Sequence, residues 1–152
     1  RLVGSEMCIR DSLHAIGDLS RLPARTRKLL QDSLEATSGN TRLNLVLAIS
    51  YGSRGEIASA ARKIAEKVSR GELQPDAVTE DLFGEYLDTA GMPEPDLLIR
   101  TSGEMRVSNF LLWQISYAEI YVTDTLWPDF GDRDMEAALL DYSRRKRRFG
   151  AL

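Results

Sequence analysis

Leu43-Asn-Leu-Val-Leu-Ala-Ile49 is a nearly unbroken apolar run of strand length. Successive residues of a strand point to opposite faces, so a strand with one wet face alternates apolar and polar side chains. A strand that is apolar on both faces belongs inside a covered sheet, and such sheets are parallel. Parallel neighbours cannot be joined by a tight hairpin and need a long crossover, usually a helix. This one run therefore commits the chain to alternating strands and helices.

The rest of the sequence follows that alternation. Leu13 to Ile16 is a short apolar run closed by Gly17-Asp18, as at the end of a buried strand. Ser20 is placed to cap a helix over 22–37, with Pro23 in its first turn and Leu22, Leu29, Leu30 and Leu34 on one face. Ser38-Gly39-Asn40 stops it. After the loop Ser50–Gly55, apolar residues recur at Ile57, Ala60/Ala61, Ile64 and Val68, which predicts a helix over 56–70. Thr79 opens another helix, to about Ala90, and Pro93 and Pro95 end it. Leu97-Leu-Ile99 reads as a short buried strand, followed by a polar loop and an apolar stretch over 110–122. Asp132 begins a last helix, to about Phe149. The expected architecture is α/β: a layered, mainly parallel β-sheet flanked by helices. Ligands of such sheets bind beyond the carboxyl ends of the strands. Three loops meet that rule: Gly17-Asp18, Ser50–Gly55 and Arg100–Asn109.

Charge narrows the partners. The net charge is −3 over 152 residues, so the chain as a whole does not advertise nucleic-acid binding, and an anion site must come from local clustering of arginines. No apolar run approaches the roughly 20 residues needed to span a bilayer. The first twelve residues, Arg1-Leu-Val-Gly-Ser-Glu-Met-Cys-Ile-Arg-Asp-Ser12, have no signal-peptide core. They read as a translated DNA adapter of the kind used in transposase-based sequencing. The expected division is thus 1–12 adapter-derived and 13–152 the protein proper, cut from a longer gene. The single cysteine, Cys8, falls in the foreign part.

Chemistry concentrates in the loop after Leu97-Leu-Ile99. It holds Arg100, Thr101, Ser102, Arg106, Ser108 and Asn109, with Gly103 for backbone freedom. Guanidinium forks bind phosphate oxygens two at a time, and hydroxyls and amides add donors. Alone, two arginines six residues apart are more often just surface charges. Glu119 sits among apolar and aromatic neighbours in Ser116-Tyr-Ala-Glu-Ile-Tyr121, where a carboxylate needs a partner, either an arginine or a cation. Mg²⁺ takes oxygen ligands and is commonly held by one or two carboxylates plus substrate phosphates. His14, the only histidine, reads as structural or surface. Trp113, Tyr117, Tyr121 and Trp127 read as core. Arg144-Arg-Lys-Arg-Arg148 offsets a helix dipole, or else meets an anionic partner, a diphosphate or lipid headgroups in a peripheral membrane contact.

Arg100-Thr-Ser-Gly-Glu-Met-Arg-Val-Ser-Asn-Phe-Leu-Leu-Trp-Gln114, Tyr117-Ala-Glu119 and Leu126-Trp-Pro-Asp-Phe130 strongly resemble bacterial undecaprenyl-diphosphate synthases, the isoprenyl transferases. The likeness covers about 13–152 and includes Ile16-Gly-Asp18, Gly39-Asn40, Tyr51-Gly52 and Arg147-Arg-Phe-Gly150. It implies a truncated cis-prenyltransferase fold. It also implies a reaction, the Mg²⁺-assisted condensation of isopentenyl diphosphate onto an allylic diphosphate with formation of cis double bonds. By position, Arg100, Arg106, Val107 and Ser108 look like the residues that grip isopentenyl diphosphate. Glu119 looks like the magnesium-site glutamate, and Arg148-Phe-Gly150 like the tail that reaches the partner's site in a cytoplasmic homodimer.

Two departures qualify the likeness. Met105 stands where many relatives carry histidine. The family's Asp-Gly-Asn-Gly-Arg phosphate loop, which holds the key magnesium-binding and catalytic aspartate, has no counterpart here, so no catalytic residue is assigned. The resemblance thus implies an enzyme fragment, inactive or nearly so by itself. The alternatives are a non-catalytic subunit of a hetero-oligomeric prenyltransferase, or an unrelated phosphate-binding module.

Overall fold

The computed structural model describes residues 10–146. Among the described residues four strands form: β1 (Ser12–Ile16), β2 (Asn44–Ala48), β3 (Leu97–Arg100) and β4 (Glu119–Val122). Four α-helices accompany them: α1 (Ala24–Thr37), α2 (Ser53–Ser69), α3 (Glu80–Gly84) and α4 (Asp132–Arg144). The alternation and the parallel pairing expected from the sequence are both present. The strands hydrogen-bond as two parallel pairs rather than as one continuous sheet, β1 with β2 and β3 with β4. The chain divides into two compact units, 1–91 and 92–152, each with one of these pairs.

In the first unit, β1, α1 and β2 make a βαβ crossover, with Leu13 opposite Leu45 and Ile16 opposite Ala48. Strand β1 begins at Ser12 rather than Leu13. Main-chain pairing is indifferent to side chain, and the Ser12 amide donates to Leu43 O at 2.8 Å. Ser12 Oγ also bonds His14 Nε2 at 3.1 Å, which gives the lone histidine a structural partner. The core is small: Ile16, Ala60, Ile64 and Leu87 are buried. β2 is less covered than its apolar sequence demands, for Leu47 is exposed, as is Leu43 just before the strand. Helix α1 starts two residues later than predicted, because Asp18 takes the Ser20 amide at 3.1 Å and caps a 3₁₀ turn over Leu19–Arg21 instead. Thr79 does cap α3, accepting from Leu82 N at 3.2 Å. That helix ends at Gly84 rather than Ala90, since the following amides close i→i+3 turns, Tyr86 to Phe83 and Leu87 to Gly84.

In the second unit, α4 lies against β4. Ala138 is buried, while Met135, Leu139 and Leu140 are exposed. The helix ends at Arg144, and the last part of the predicted span lies outside the described residues. Asp134 fastens its start: the carboxylate accepts from Gly131 N at 3.0 Å and from the Thr125 hydroxyl at 2.8 Å. The Gly131 amide and then Thr125 hold this carboxyl below its usual range. Its contribution is therefore present at neutral pH and is lost as the pH falls through the depressed value. Trp127 is exposed, against the expectation of a core residue. It opens a 3₁₀ turn and stacks on Phe130 at a centroid distance of 6.2 Å. Tyr117 is exposed as well.

Candidate functional site

β3 ends at Arg100, where the chain leaves the sheet for the 101–118 connection. The turn is left-handed at both Ser102 and Gly103, with φ of 68° and 65°. Its amides are tied to the chain just after β4. Ser102 N donates to Thr125 O at 3.0 Å and Gly103 N to Thr123 O at 2.8 Å, while Thr123 N donates back to Arg100 O at 2.9 Å. A Cβ at Gly103 would lie 2.7 Å from Asp124 Oδ1. The Asp124 side chain can swing aside, so the cost of Gly103→Ala is mostly the left-handed backbone, about 1 kcal/mol. A urea titration should show that loss as a lower midpoint with an unchanged slope. Farther along, Ser108, Asn109 and Leu111 also have positive φ, of 53°, 62° and 47°. Non-glycine residues held in this region store strain, and such residues cluster at functional sites.

The two arginines predicted for the site come together, and they do so through a residue the sequence reading passed over. Nη2 of Arg100 donates to Oε2 of Glu104, and Nη2 of Arg106 donates to Oε1 of the same carboxylate. Arg100 is half-buried and Arg106 is exposed. The Nε of Arg100 is shut away from solvent and has no hydrogen-bond partner. Val107 is half-buried, its carbonyl accepting from Phe110 N at 3.2 Å, and Ser108 is exposed on the same loop. Met105 is 88% exposed.

Glu119, the predicted cation ligand, has an arginine. Arg145 Nη1 donates to Glu119 Oε2 at 2.9 Å and to Ile120 O at 3.0 Å, and its Nε donates to Asp141 at 2.7 Å. The basic end of α4 thus fastens the helix to the start of β4. Among the described residues no group of three His, Cys, Asp or Glu side chains could hold a metal ion. The donor set fits a cation only as far as one carboxylate goes: Glu119 Oε1 is left by the arginine, and the other ligands of an oxygen-seeking ion must come from elsewhere, diphosphate oxygens included.

The first unit carries a second polar cluster, at the carboxyl ends of β1 and β2. The loops Gly17-Asp18 and Ser50–Gly55 meet there, and Gly17, with φ of 95°, packs on Ile49 O and Tyr51. Glu56 in the first turn of α2 is 7% exposed. Its Oε1 accepts from Asp88 N at 2.8 Å, and its Oε2 from the Tyr51 hydroxyl at 2.5 Å. Asp88 in turn accepts from Gly17 N at 3.2 Å. Burial first, and then the Glu56 carboxylate, push the Tyr51 hydroxyl well above its usual range. Sequence reading flagged both loops, Tyr51 among them, but not Glu56 or Asp88. A glutamate in the first turn of a helix that follows a strand–loop unit was the available signal.

Residues 6–150 match the undecaprenyl diphosphate synthase family of prenyltransferases. The chain belongs to this family. It is 52% identical to the isoprenyl transferase of Porphyromonas gingivalis over 138 residues, 91% of this chain and 54% of that protein. It is 50% identical to the isoprenyl transferase of Geobacillus kaustophilus over 140 residues, 92% of this chain and 54% of that protein. The chain therefore spans about half the length of these relatives. Among solved structures, lavandulyl diphosphate synthase from Lavandula x intermedia, in complex with dimethylallyl diphosphate, superposes with a TM-score of 0.89 at 44% identity. The match covers 92% of this chain and 60% of that one. A probable undecaprenyl diphosphate synthase from Campylobacter jejuni superposes with a TM-score of 0.77 at 40% identity, over 92% of this chain and 63% of that one. The α/β fold is accordingly a truncated form of the cis-prenyltransferase fold. Among the described residues no helix is long and apolar enough to cross a membrane.

Proposed function

We propose that the protein to which this chain belongs is a cis-prenyltransferase. It joins isopentenyl diphosphate to an allylic diphosphate and builds a polyprenyl diphosphate, the precursor of a cell-wall lipid carrier. The observation that carries this reading is the convergence of Arg100 and Arg106 on one carboxylate, in a strained loop at the end of a parallel strand. Two cationic forks drawn to one anionic point form the local field a diphosphate needs, on a chain whose net charge is −3. In this reading Arg100 and Arg106 grip the diphosphate of isopentenyl diphosphate, and Val107 and Ser108 complete the grip with main-chain and hydroxyl donors. Fixed donors and cations stabilise charge that develops on a departing diphosphate.

Glu119 would supply one oxygen to Mg²⁺, which when bound offsets the charge of the allylic leaving group. The working enzyme is a cytoplasmic homodimer, peripheral to the inner membrane through the basic segment 144–148, with no nucleic-acid partner. The residues proposed to reach the partner, Arg148-Phe-Gly150, lie outside the described residues. This chain has no Asp-Gly-Asn-Gly-Arg loop, and by itself it should bind isopentenyl diphosphate without turning it over.

Calorimetric titration of isopentenyl diphosphate tests the site. Hydrogen bonds to charged groups contribute about 1.5–3 kcal/mol, so Arg106→Ala should weaken binding roughly 10- to 100-fold. Equal binding by the wild-type chain and Arg106→Ala would remove the loop from the site. Turnover of both diphosphates by this chain at the rate of an intact relative would overturn its proposed inactivity.

A further inference from the structure

We propose that Glu104 is a built-in substitute for the diphosphate, one that the ligand must displace. The inference rests on the reading of Arg100 and Arg106 as the diphosphate grip. Two guanidinium groups facing one binding point repel each other when that point is empty. Glu104 removes this repulsion by giving one oxygen to each arginine. A diphosphate brings more oxygens and more charge to the same two forks, and beside it the Glu104 carboxylate becomes a like charge that has to leave.

Two features make the exchange feasible. Glu104 does not hold the loop in shape, because the main chain around it is fastened to Thr123 and Thr125 by its own amides and carbonyl. The carboxylate is also only partly covered and its Arg106 partner is exposed, so the pairs it makes are weak ones. The substitute is also imperfect. It engages Arg100 through Nη2 alone and leaves the Nε of that residue without an acceptor. A ligand with oxygens to spare can serve both nitrogens of that fork.

Displacement also confers selectivity. A diphosphate can replace both contacts made by Glu104, whereas a single phosphate group competes with the carboxylate on less favourable terms. Removing the carboxylate should therefore raise affinity for every phosphate ligand and narrow the gap between them.

The experiment is calorimetric titration of this chain with isopentenyl diphosphate and with inorganic phosphate. The variants are Glu104→Gln, Glu104→Asp and Arg106→Ala, each checked by circular dichroism for an unchanged fold. Loss of two weak ion pairs predicts isopentenyl diphosphate binding roughly two- to thirty-fold tighter in Glu104→Gln, with at least as large a gain for phosphate. Glu104→Asp keeps the charge but is too short to span both forks, so it should fall between wild type and Glu104→Gln. Weaker or unchanged binding by Glu104→Gln, with Arg106→Ala still impaired, would overturn the displacement while leaving the grip in place. Glu104→Asp indistinguishable from wild type would also overturn it, reducing the effect to net charge. Arg106→Ala binding as wild type would remove the grip itself, and the proposal with it.

Discussion

Gly17→Ala is expected to lower the thermal midpoint of the chain by roughly 10 °C. The residue sits at the carboxyl end of β1 with φ of 95°, a conformation that costs an L-residue about 1–2 kcal/mol. Space adds to the penalty. A Cβ there would overlap the carbonyl oxygen of Ile49 and stand 2.9 Å from the Cβ of Tyr51. Neither obstacle can rotate away, because one is main chain and the other is the root of a side chain. The end of β1 would have to move off the end of β2, where Ile49 N now donates to Ile16 O at 2.9 Å. A total near 3 kcal/mol follows, at the upper end for a single substitution. Gly39→Ala is the control, since a Cβ at Gly39 meets nothing within 4 Å. Its midpoint should hardly change. If both variants melt alike, the close approach at Gly17 is not what shapes this turn.

Much of this arrangement could be read from residue types. The run at 43–49 announced β2 because apolar residues on both strand faces have few other uses. The spacing from Ile57 to Val68 announced α2 for a similar reason, and Ala60 and Ile64 are indeed buried. The loop at 100–109 was visible because arginines, hydroxyls and a glycine at the end of a buried strand form a recognisable set of donors. What the sequence hid were pairings. Glu119 was seen to need a partner, but Arg145 lies 26 residues away, and only the packing of α4 on β4 brings the two together. Glu104 was passed over because a glutamate between two arginines looks like ordinary surface charge until both forks turn onto it. Ser20 was given the cap because hydroxyls are good helix caps, but its hydroxyl donates to Asp18 Oδ1, the same oxygen that takes its amide, and α1 begins after Pro23 with no side-chain cap. Trp127 was assigned to the core on hydrophobicity alone, which says how much a residue gains from burial and not whether a neighbour is there to supply it.

The second large effect is expected at Glu56. Its carboxylate accepts from the Asp88 amide and the Tyr51 hydroxyl, and through Asp88 it supports the Gly17 amide. Glu56→Ala takes the acceptor away from the Asp88 amide and the Tyr51 hydroxyl in a site that was 7% exposed. Each donor that loses its acceptor costs about 1–3 kcal/mol, so a loss near 3 kcal/mol is expected in urea unfolding. Glu56→Gln should lose only about 1 kcal/mol, because the amide oxygen can still accept from Asp88 N while Tyr51 turns to accept from the new NH₂. The comparison separates the hydrogen bonds from mere volume, since a packing role alone would make Gln nearly silent. Tyr51 adds a dependence on pH. Its hydroxyl is a donor only while protonated, and its folded value lies above the ordinary 10.0. The sign follows from linkage: the contribution is complete below about pH 10 and is lost as the pH rises from there toward the folded value. Stability of the wild-type chain should fall across that alkaline range more steeply than that of Tyr51→Phe, which has no proton to lose at this position. Parallel alkaline limbs in the two proteins would mean that the hydroxyl is not bound to Glu56 in solution.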